Sequence, residues 1–580
     1  MPDRSASVLE LKAIDAPQRR YDVAIMGGGL AGLSLALQLK RERPETSVLV
    51  ADKRTEPPPE AAFKVGESSV EIGAHYYRNV IGMRDHLEQQ QLRKLGLRFF
   101  LPAGDNSDIT KRVEFCTPGH LDAFTHQIDR GRFENELFRR CRKAGADAFR
   151  GWAVSDVELG ADEHRLTLSQ EDETATVAAR WVVDASGRAN ILRRKLELGT
   201  DTGHHINAAW FRLADGMDLE DWTDDREWLG RMPEQGLRRL STSHLIQPGY
   251  WLWLIQLSSG PISIGVCADP RFHPYEEINT FDALMEWIKR HEPQLYAQLD
   301  GRREDVLDFL RVRDFSYGSS RVFSPERWTL VGEAAGFIDA LYSPGSDFIG
   351  FTNTLSASLI ERELDGEDVT ELAEFYNSFF LDLFNTTTHL YRDNYQLFGN
   401  PQVMVAKFVF DSSAYFAGIG NAFCHDRMRT PDDLNKLREV VGDVIELVPV
   451  MQQLFRDWNA LEQRQFEGVS ILCRQLTPYI EAQRGMAQPA EGDEVFEISR
   501  RSAEYVRALA VWIFHRAARN LPNPPDENRP INLKAISLHP ERWEQDGLYA
   551  EQGISLVRAL ELLRGIEEMY LDASGAMVAA

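Results

Sequence analysis

The stretch YDVAIMGGGLAGLSLALQLKRERPETSVLVADK, residues 21–53, decides the fold of this chain. It reads strand, glycine turn, helix, strand. The first strand is continuous and apolar, as strands buried on both faces of a parallel sheet are. Gly27, Gly29 and Gly32 form G-x-G-x-x-G directly between that strand and the helix. In such a turn the first glycine allows the tight bend, the second lets a pyrophosphate approach the backbone, and the third lets helix and strand pack closely. The helix N-terminus adds free N–H groups and partial positive charge. Leu33, Leu35, Leu37 and Leu39 then cover the sheet. An acid is needed about 20 residues on to hold a ribose hydroxyl pair, and Asp52 lies 23 residues after Gly29. The stretch predicts a βαβ dinucleotide-binding unit. The fingerprint alone does not choose between FAD and NAD.

Working outward, ARWVVDASG (179–187) reads as another strand of this unit, and ERWTLVGEAAGFIDALYSPG (326–345) as strand, small-residue turn and the approach to a helix. Segments from about 204 to 275 are aromatic and β-like, and the periodicity beyond about 352 is helical, broken by loops at 485–494 and 520–530. The expected organisation is an N-terminal arm over 1–20, an FAD- or NAD-binding domain over 21–200 and 310–352, a β-rich substrate domain over 201–309 and a helical C-terminal domain over 353–580. The fold class is α/β: a Rossmann-like GxGxxG domain with an interleaved mixed β-sheet domain and a largely helical C-terminal region.

The composition excludes several classes. With 580 residues, 43% hydrophobic and 27% charged, the chain has the make-up of a soluble globular protein. Its net charge of −24 repels nucleic acid and anionic membranes. Cys116, Cys141, Cys267, Cys424 and Cys473 are widely spaced with no CxxC pair, which argues for a reducing, cytoplasmic setting over a disulfide framework. No two-His-carboxylate or HExxH spacing occurs, so no metal is expected. No secretory signal and no charge-free apolar run of about 20 residues is visible.

The most apolar stretch is GYWLWLIQLSSG, residues 249–260, followed by Pro261 and ISIGVCA. Two short apolar runs around a Ser-Gly-Pro turn predict a buried β-hairpin. In a strand, Trp251, Trp253 and Ile255 share one face while Leu252 and Leu254 take the other. His244, seven residues before Trp251, has no base or metal ligand beside it in the sequence and reads as a structural histidine. By spacing alone Lys94, between Arg93 and Arg98, reads as a solvated cation ending a helix. The Phe and Tyr residues of the C-terminal region read as core.

Three segments resemble FAD-dependent monooxygenases and their relatives: WVVDASGR (181–188), IDRGRFENELFRRCRKAGA (128–146) and LVGEAAGFIDALYSPG (330–345). The resemblance implies FAD, with Arg130 contacting the cofactor and Glu333, in place of the usual Asp, at the ribityl chain. A single nucleotide fingerprint leaves NAD(P)H without a domain of its own, which points to a separate flavin reductase.

Within that superfamily, two further segments resemble the flavin-dependent, tryptophan-halogenase-like family. FKVGESSVEIG (63–73) is similar to the strap between flavin and substrate, giving Glu67 and Ser68, and LRKLGLRFF (92–100) is similar to the stretch with the essential lysine, here Lys94. Trp251-Leu-Trp253-Leu-Ile255-Gln256 resembles W-x-W-x-I-P with Gln256 replacing Pro, a block that keeps substrate away from the flavin. The resemblance also implies that Gly345 and Ser346 hold a halide through backbone N–H groups, and that Tyr342 stands where tryptophan-specific members carry Glu.

The expected activity is halogenation of an electron-rich aromatic of phenol, pyrrole or aryl polyene type, free or carrier-tethered. It uses FAD as FADH2, O2 and halide, with hypohalous acid held by Lys94. A lysine can hydrogen-bond to that acid or trap it as a haloamine. The alternative is an aromatic hydroxylase on the same scaffold, which Gln256 favours. A flavin-fold scaffold without chemistry is disfavoured by the intact glycines and Asp52, and a geranylgeranyl-reductase-like role gives no reason for Lys94 or the Trp pair.

Overall fold

The computed structural model describes residues 20–61, 64–116, 124–232, 236–462, 464, 466–472, 477–563 and 566. Nearly all of the expected N-terminal arm, Phe63 of the strap and Cys473 lie outside the described residues. The chain forms two compact units, each gathered from three segments. The first comprises the chain up to Gln91, Ile128–Thr202 and Ser316–Phe384, and the second Leu92–Gln127, Gly203–Phe315 and Asn385 onward.

The first unit is built on one sheet whose main path runs Phe323–Ser324, Trp328–Leu330, Glu173–Asp184, Arg20–Met26, Val48–Asp52, Asp147–Arg150. The central pairs are parallel, joining Ile25 to Val183 on one side and to Val50 on the other. The helix Leu30–Glu42 crosses between the first two strands of the chain, and Leu33, Leu35, Leu37 and Leu39 are all buried. This is the βαβ unit the opening stretch predicts.

The second unit holds a mixed sheet in the order Val306–Val312, Asn207–Leu213, Ile262–Ala268, Tyr250–Gln256, Thr242–Gln247, Leu97–Leu101, Val113–Cys116, Ser470–Leu472. The hairpin is present: Tyr250–Gln256 pairs antiparallel with Ile262–Ala268, and Gly260 turns the chain with φ +115°. Tyr250, Leu252 and Leu254 pack into a core with Trp287, Ile288 and Leu295. Trp251 and Trp253 lie on the opposite face, as the period of two requires.

The unit boundaries differ from those expected. Residues 92–127 belong with the second unit because Leu97–Leu101 pairs in parallel with Thr242–Gln247 and extends the mixed sheet. Residues 353–384 stay with the first because helix Gly345–Leu364 is bonded to its sheet and crossover helix, Ser356 Oγ to Thr329 Oγ1 at 3.0 Å and Asn353 Nδ2 to the Ala31 carbonyl at 3.1 Å. The helical region from Asn385 is not a separate domain either. Ser470–Leu472 adds a strand beside Val113–Cys116, and Phe408 packs edge-on against Phe99 and Phe115.

Among the described residues one helical stretch, Pro401–Cys424, is long and apolar enough to cross a membrane, but 78% of its most apolar window is buried inside the protein. Lys407 and Asp411 pair inside it at 2.5 Å, with Gln452 bonded to both, so it carries a satisfied polar network into the core.

Candidate active site

In the first unit the glycine turn has a structural reason at each position. Gly27 adopts φ +117°, a region L-residues avoid. A Cβ on Gly32 would strike the Gly27 carbonyl oxygen, so helix and strand can approach only without one. Around Gly29 the space is open, the nearest group to an added Cβ being Lys64 Nζ at 3.8 Å. A partly exposed backbone turn with an ammonium beside it fits the pyrophosphate of FAD.

Asp52 ends its strand and takes hydrogen bonds from Arg54, from Nε at 3.0 Å and Nη2 at 2.6 Å. Arg54 Nη2 also donates to the Gly28 carbonyl at 2.8 Å, tying the acid to the glycine turn. Glu134, 1% exposed, gathers three cations: Arg54 at 3.2 Å, Lys64 at 2.9 Å and Arg130 at 2.8 Å. Burial alone would push its carboxyl up, but Arg130, Lys64 and Arg54 outweigh it and bring the pKa down to about 2. Burial also pushes the Lys64 ammonium down, and Arg130 and Arg54 add to this against the pull of Glu134. Two carboxylates, Asp52 and Glu134, against three cations leave net positive charge beside the phosphate-binding turn.

A pH dependence follows. Because the folded pKa of Glu134 is depressed from 4.5 to about 2, its stabilisation is complete above about pH 4.5 and is lost as the pH falls through about 2. The amount is roughly 3 kcal/mol. Thermal unfolding followed from about pH 6 to about pH 2 checks this, and the loss of stability over that window is expected to shrink in Glu134→Gln.

The strap and the turn before helix Gly345–Leu364 meet within the same unit. Ser343 Oγ donates to Ser68 Oγ at 3.0 Å, and the Gly73 N–H donates to Asp347 Oδ1 at 2.8 Å. A Cβ on Gly73 would strike that of Ser346. Glu67 is buried, and its carbonyl accepts from Ile128 N at 2.6 Å. Tyr342 and Ser343 are consecutive non-glycine residues at φ +67° and +60°, a strain of about 1–3 kcal/mol each that surrounding contacts must hold. The helix then starts at Gly345 after Pro344, whose side chain makes no cap hydrogen bond. Glu333 is partly exposed in the short turn Gly332–Ala334, and its carbonyl accepts from Tyr317 OH at 2.8 Å.

In the second unit Lys94 is not a solvated helix end. It follows the short strand Leu92–Arg93 and is 3% exposed. Its N–H donates to the Thr125 carbonyl at 2.9 Å, and the next residue, Leu95, donates to Leu240 at 2.8 Å, so the turn is pinned on both sides. An aromatic wall stands in the same unit. Trp251 and Trp253 have ring centroids 5.5 Å apart, and Trp251 Nε1 donates to Tyr395 OH at 2.9 Å. Trp253 Nε1 donates to Ser263 Oγ at 3.1 Å. Gly265, on the neighbouring strand, gives Trp253 its room, since a Cβ there would run into the indole. His244 stacks on Phe99 at 4.6 Å and faces Trp251 at 5.6 Å.

Gln256 lies on the face opposite the Trp pair. Its Nε2 donates to the carbonyls of Gly260 at 2.7 Å and of Leu257 and Pro261 at 3.2 Å, closing the hairpin turn. Its departure from the family pattern is therefore a matter of turn stability, on the far side of the strand from Trp251 and Trp253.

Sequence reasoning passed over Arg54, Lys64, Glu134 and Tyr395. Glu134 had a visible signal, standing four residues after Arg130 on one helix, the spacing at which an acid and a base face each other. Tyr395 had none, since its bond to Trp251 spans 144 residues.

Residues 20–260 match the family described as FAD binding domain. A flavin-dependent halogenase of Dictyostelium discoideum is 26% identical over 438 residues, covering 68% of this chain and 70% of that protein. The tetracycline 7-halogenase of Kitasatospora aureofaciens is 27% identical, covering 59% of this chain and 64% of that protein. A 1H-pyrrole-2-carbonyl-[peptidyl-carrier protein] chlorinase of Pseudomonas fluorescens is 25% identical, covering 56% of this chain and 72% of that protein. Among solved structures, halogenase PltM shares the fold at a TM-score of 0.61 with 18% identity, over 87% of this chain and 97% of that one. The chain is an FAD-dependent oxidoreductase with an FAD binding domain, and it is similar to flavin-dependent halogenases.

Proposed function

We propose that this protein halogenates an electron-rich aromatic ring of phenol, pyrrole or aryl polyene type, free or carrier-tethered, with Lys94 holding the halogenating agent. When bound, reduced FAD with O2 and a halide ion supplies hypohalous acid. The observation that carries the reading is Lys94 itself, withdrawn from water in a pinned turn in the unit that holds the Trp251–Trp253 wall. A lysine so placed can donate a hydrogen bond to hypohalous acid or take its halogen on nitrogen. Either way it keeps the oxidant from diffusing into bulk water.

The remaining roles are assigned on the same reading. Gly27, Gly29 and Gly32 admit the pyrophosphate, and Asp52 takes the ribose once Arg54 shares it. Arg130 faces the cofactor, Glu67 and Ser68 form the strap, and Glu333 lies along the ribityl chain. The uncapped N–H groups of Gly345 and Ser346 hold the halide, as helix N-termini hold anions. Trp251 and Trp253 keep the aromatic substrate off the flavin, and Tyr342 disfavours free tryptophan. A separate reductase supplies reduced flavin. The tethered alternative takes support from the carrier-bound substrate in the name of the Pseudomonas fluorescens relative.

The hydroxylase reading drew on Gln256, and it loses that support because the side chain is spent on the hairpin turn. A substrate panel tests the proposal. Supplied with reduced FAD, O2 and bromide, the protein is expected to brominate phenols and pyrroles in preference to free tryptophan. A preference for tryptophan would contradict the role given to Tyr342, and no bromination of any ring would contradict the activity.

A further inference from the structure

His244 is a buried side chain that the chemistry above leaves unused. It is 2% exposed and sits in Thr242–Gln247, between the strand of Phe99 and the strand of Trp253. Its ring lies nearly parallel to Phe99, at 4.6 Å and 20°, and meets Trp251 at 5.6 Å. Nδ1 is 3.1 Å from the Arg98 carbonyl oxygen. A carbonyl only accepts, so Nδ1 carries the proton in that bond. Burial drives the imidazole down to about 3 and the Lys94 charge lowers it further, while hydrogen bonds to the Arg98 and Thr242 backbones resist. The ring is therefore neutral, and its lone pair is on Nε2. The Arg98 bond leaves that nitrogen open.

We infer that His244 Nε2 is the hydrogen-bond acceptor for the ring O–H or N–H of the aromatic substrate, which makes it the residue that selects phenolic and pyrrolic rings. This rests on the halogenation reading and narrows its substrate class. Trp251 beside the imidazole supplies apolar surface for an aromatic ring, while the acceptor supplies direction. A buried acceptor left unpaired is costly, so a ring that brings a donor is favoured over the same ring without one. Accepting that hydrogen bond also raises electron density in the ring, which favours attack on an electrophilic halogen. The Lys94 charge that acts on the imidazole shows that the lysine and the acceptor share one electrostatic neighbourhood. Sequence reasoning left His244 as a satisfied structural residue, and the Arg98 bond uses only its Nδ1.

The test compares a phenol with its O-methyl ether, which keeps the ring and loses the donor. The wild-type protein and His244→Phe are assayed for kcat/KM on both, so that the intrinsic reactivity of the two rings cancels between proteins. The preference for the phenol is expected to fall by about 10- to 100-fold in His244→Phe, with turnover of the methyl ether retained. An unchanged preference would overturn the inference while leaving halogenation standing. Failure of the wild-type protein to halogenate either ring would instead overturn the reading beneath it. Should His244→Phe not fold, His244→Gln, which restores an acceptor oxygen, and His244→Met, which does not, replace it. The first is expected to keep the preference and the second to lose it, and equal behaviour of the two overturns the inference.

Discussion

Replacing Lys94 with Met is expected to lower halogenated product by about 10²- to 10⁴-fold, the span typical of a side chain acting directly on the reacting atoms. Methionine preserves most of the volume and apolar stem of a residue that is 3% exposed, so the turn between Leu92–Arg93 and Leu97–Leu101 has no new buried charge to accommodate. The backbone bonds to Thr125 and Leu240 that pin the turn do not involve the side chain. Folding and FAD affinity should persist. Product formation measured beside oxidation of reduced flavin checks this, because the variant should still consume reduced flavin while product disappears. Product at the wild-type rate would remove Lys94 from the chemistry.

The second large effect is on stability. Glu114 is 1% exposed and bridges two fully buried arginines, accepting from Arg98 and, at 3.0 Å, from Arg238 Nε. Burial pushes its carboxyl up, yet Arg98 and Arg238 outweigh this and hold it below the usual range. Arg238 also lies over the Trp228 ring at 3.6 Å and reaches Glu220 at 3.5 Å. Glu114→Gln keeps the shape and removes the charge, leaving Arg98 and Arg238 with only part of their compensation. Breaking a buried network in this way costs about 3–5 kcal/mol. Denaturant unfolding is expected to show a loss of that size, and a loss below about 1 kcal/mol would mean that the arginines are compensated elsewhere.

The dinucleotide unit was legible because its determinants are local. A glycine turn, a crossover helix and an acid at the end of the next strand all fall within residues 21–53, and each has a steric or hydrogen-bonding reason that does not wait on the rest of the chain. The hairpin around Gly260 was legible for the same reason. Lys94 was not. Its burial depends on Leu97–Leu101 pairing with Thr242–Gln247, some 145 residues away in the register Leu97 to Thr242, and nothing near Lys94 announces that partner. That long-range pairing is also what moves residues 92–127 out of the dinucleotide unit.

Gln256 stands between these cases. The period of two already puts it on the face of Leu252 and Leu254, away from Trp251 and Trp253. What the sequence lacked was the reason for a polar residue there, which is the trio of turn carbonyls its Nε2 binds. The charge cluster on Glu134 was half legible, through its spacing from Arg130. The arrival of Arg54 and Lys64 depends on how the loop after Asp52 folds back.

The central claim, that this protein delivers halogen to an aromatic ring, is tested most directly by the mass of its product. Wild-type protein is given reduced FAD, O2 and a phenol, with bromide in one reaction and no halide in the other. The account predicts the bromine isotope doublet with bromide present and unchanged phenol without it. Gain of one oxygen atom in both reactions, with no bromine incorporated, would contradict it and identify a hydroxylase.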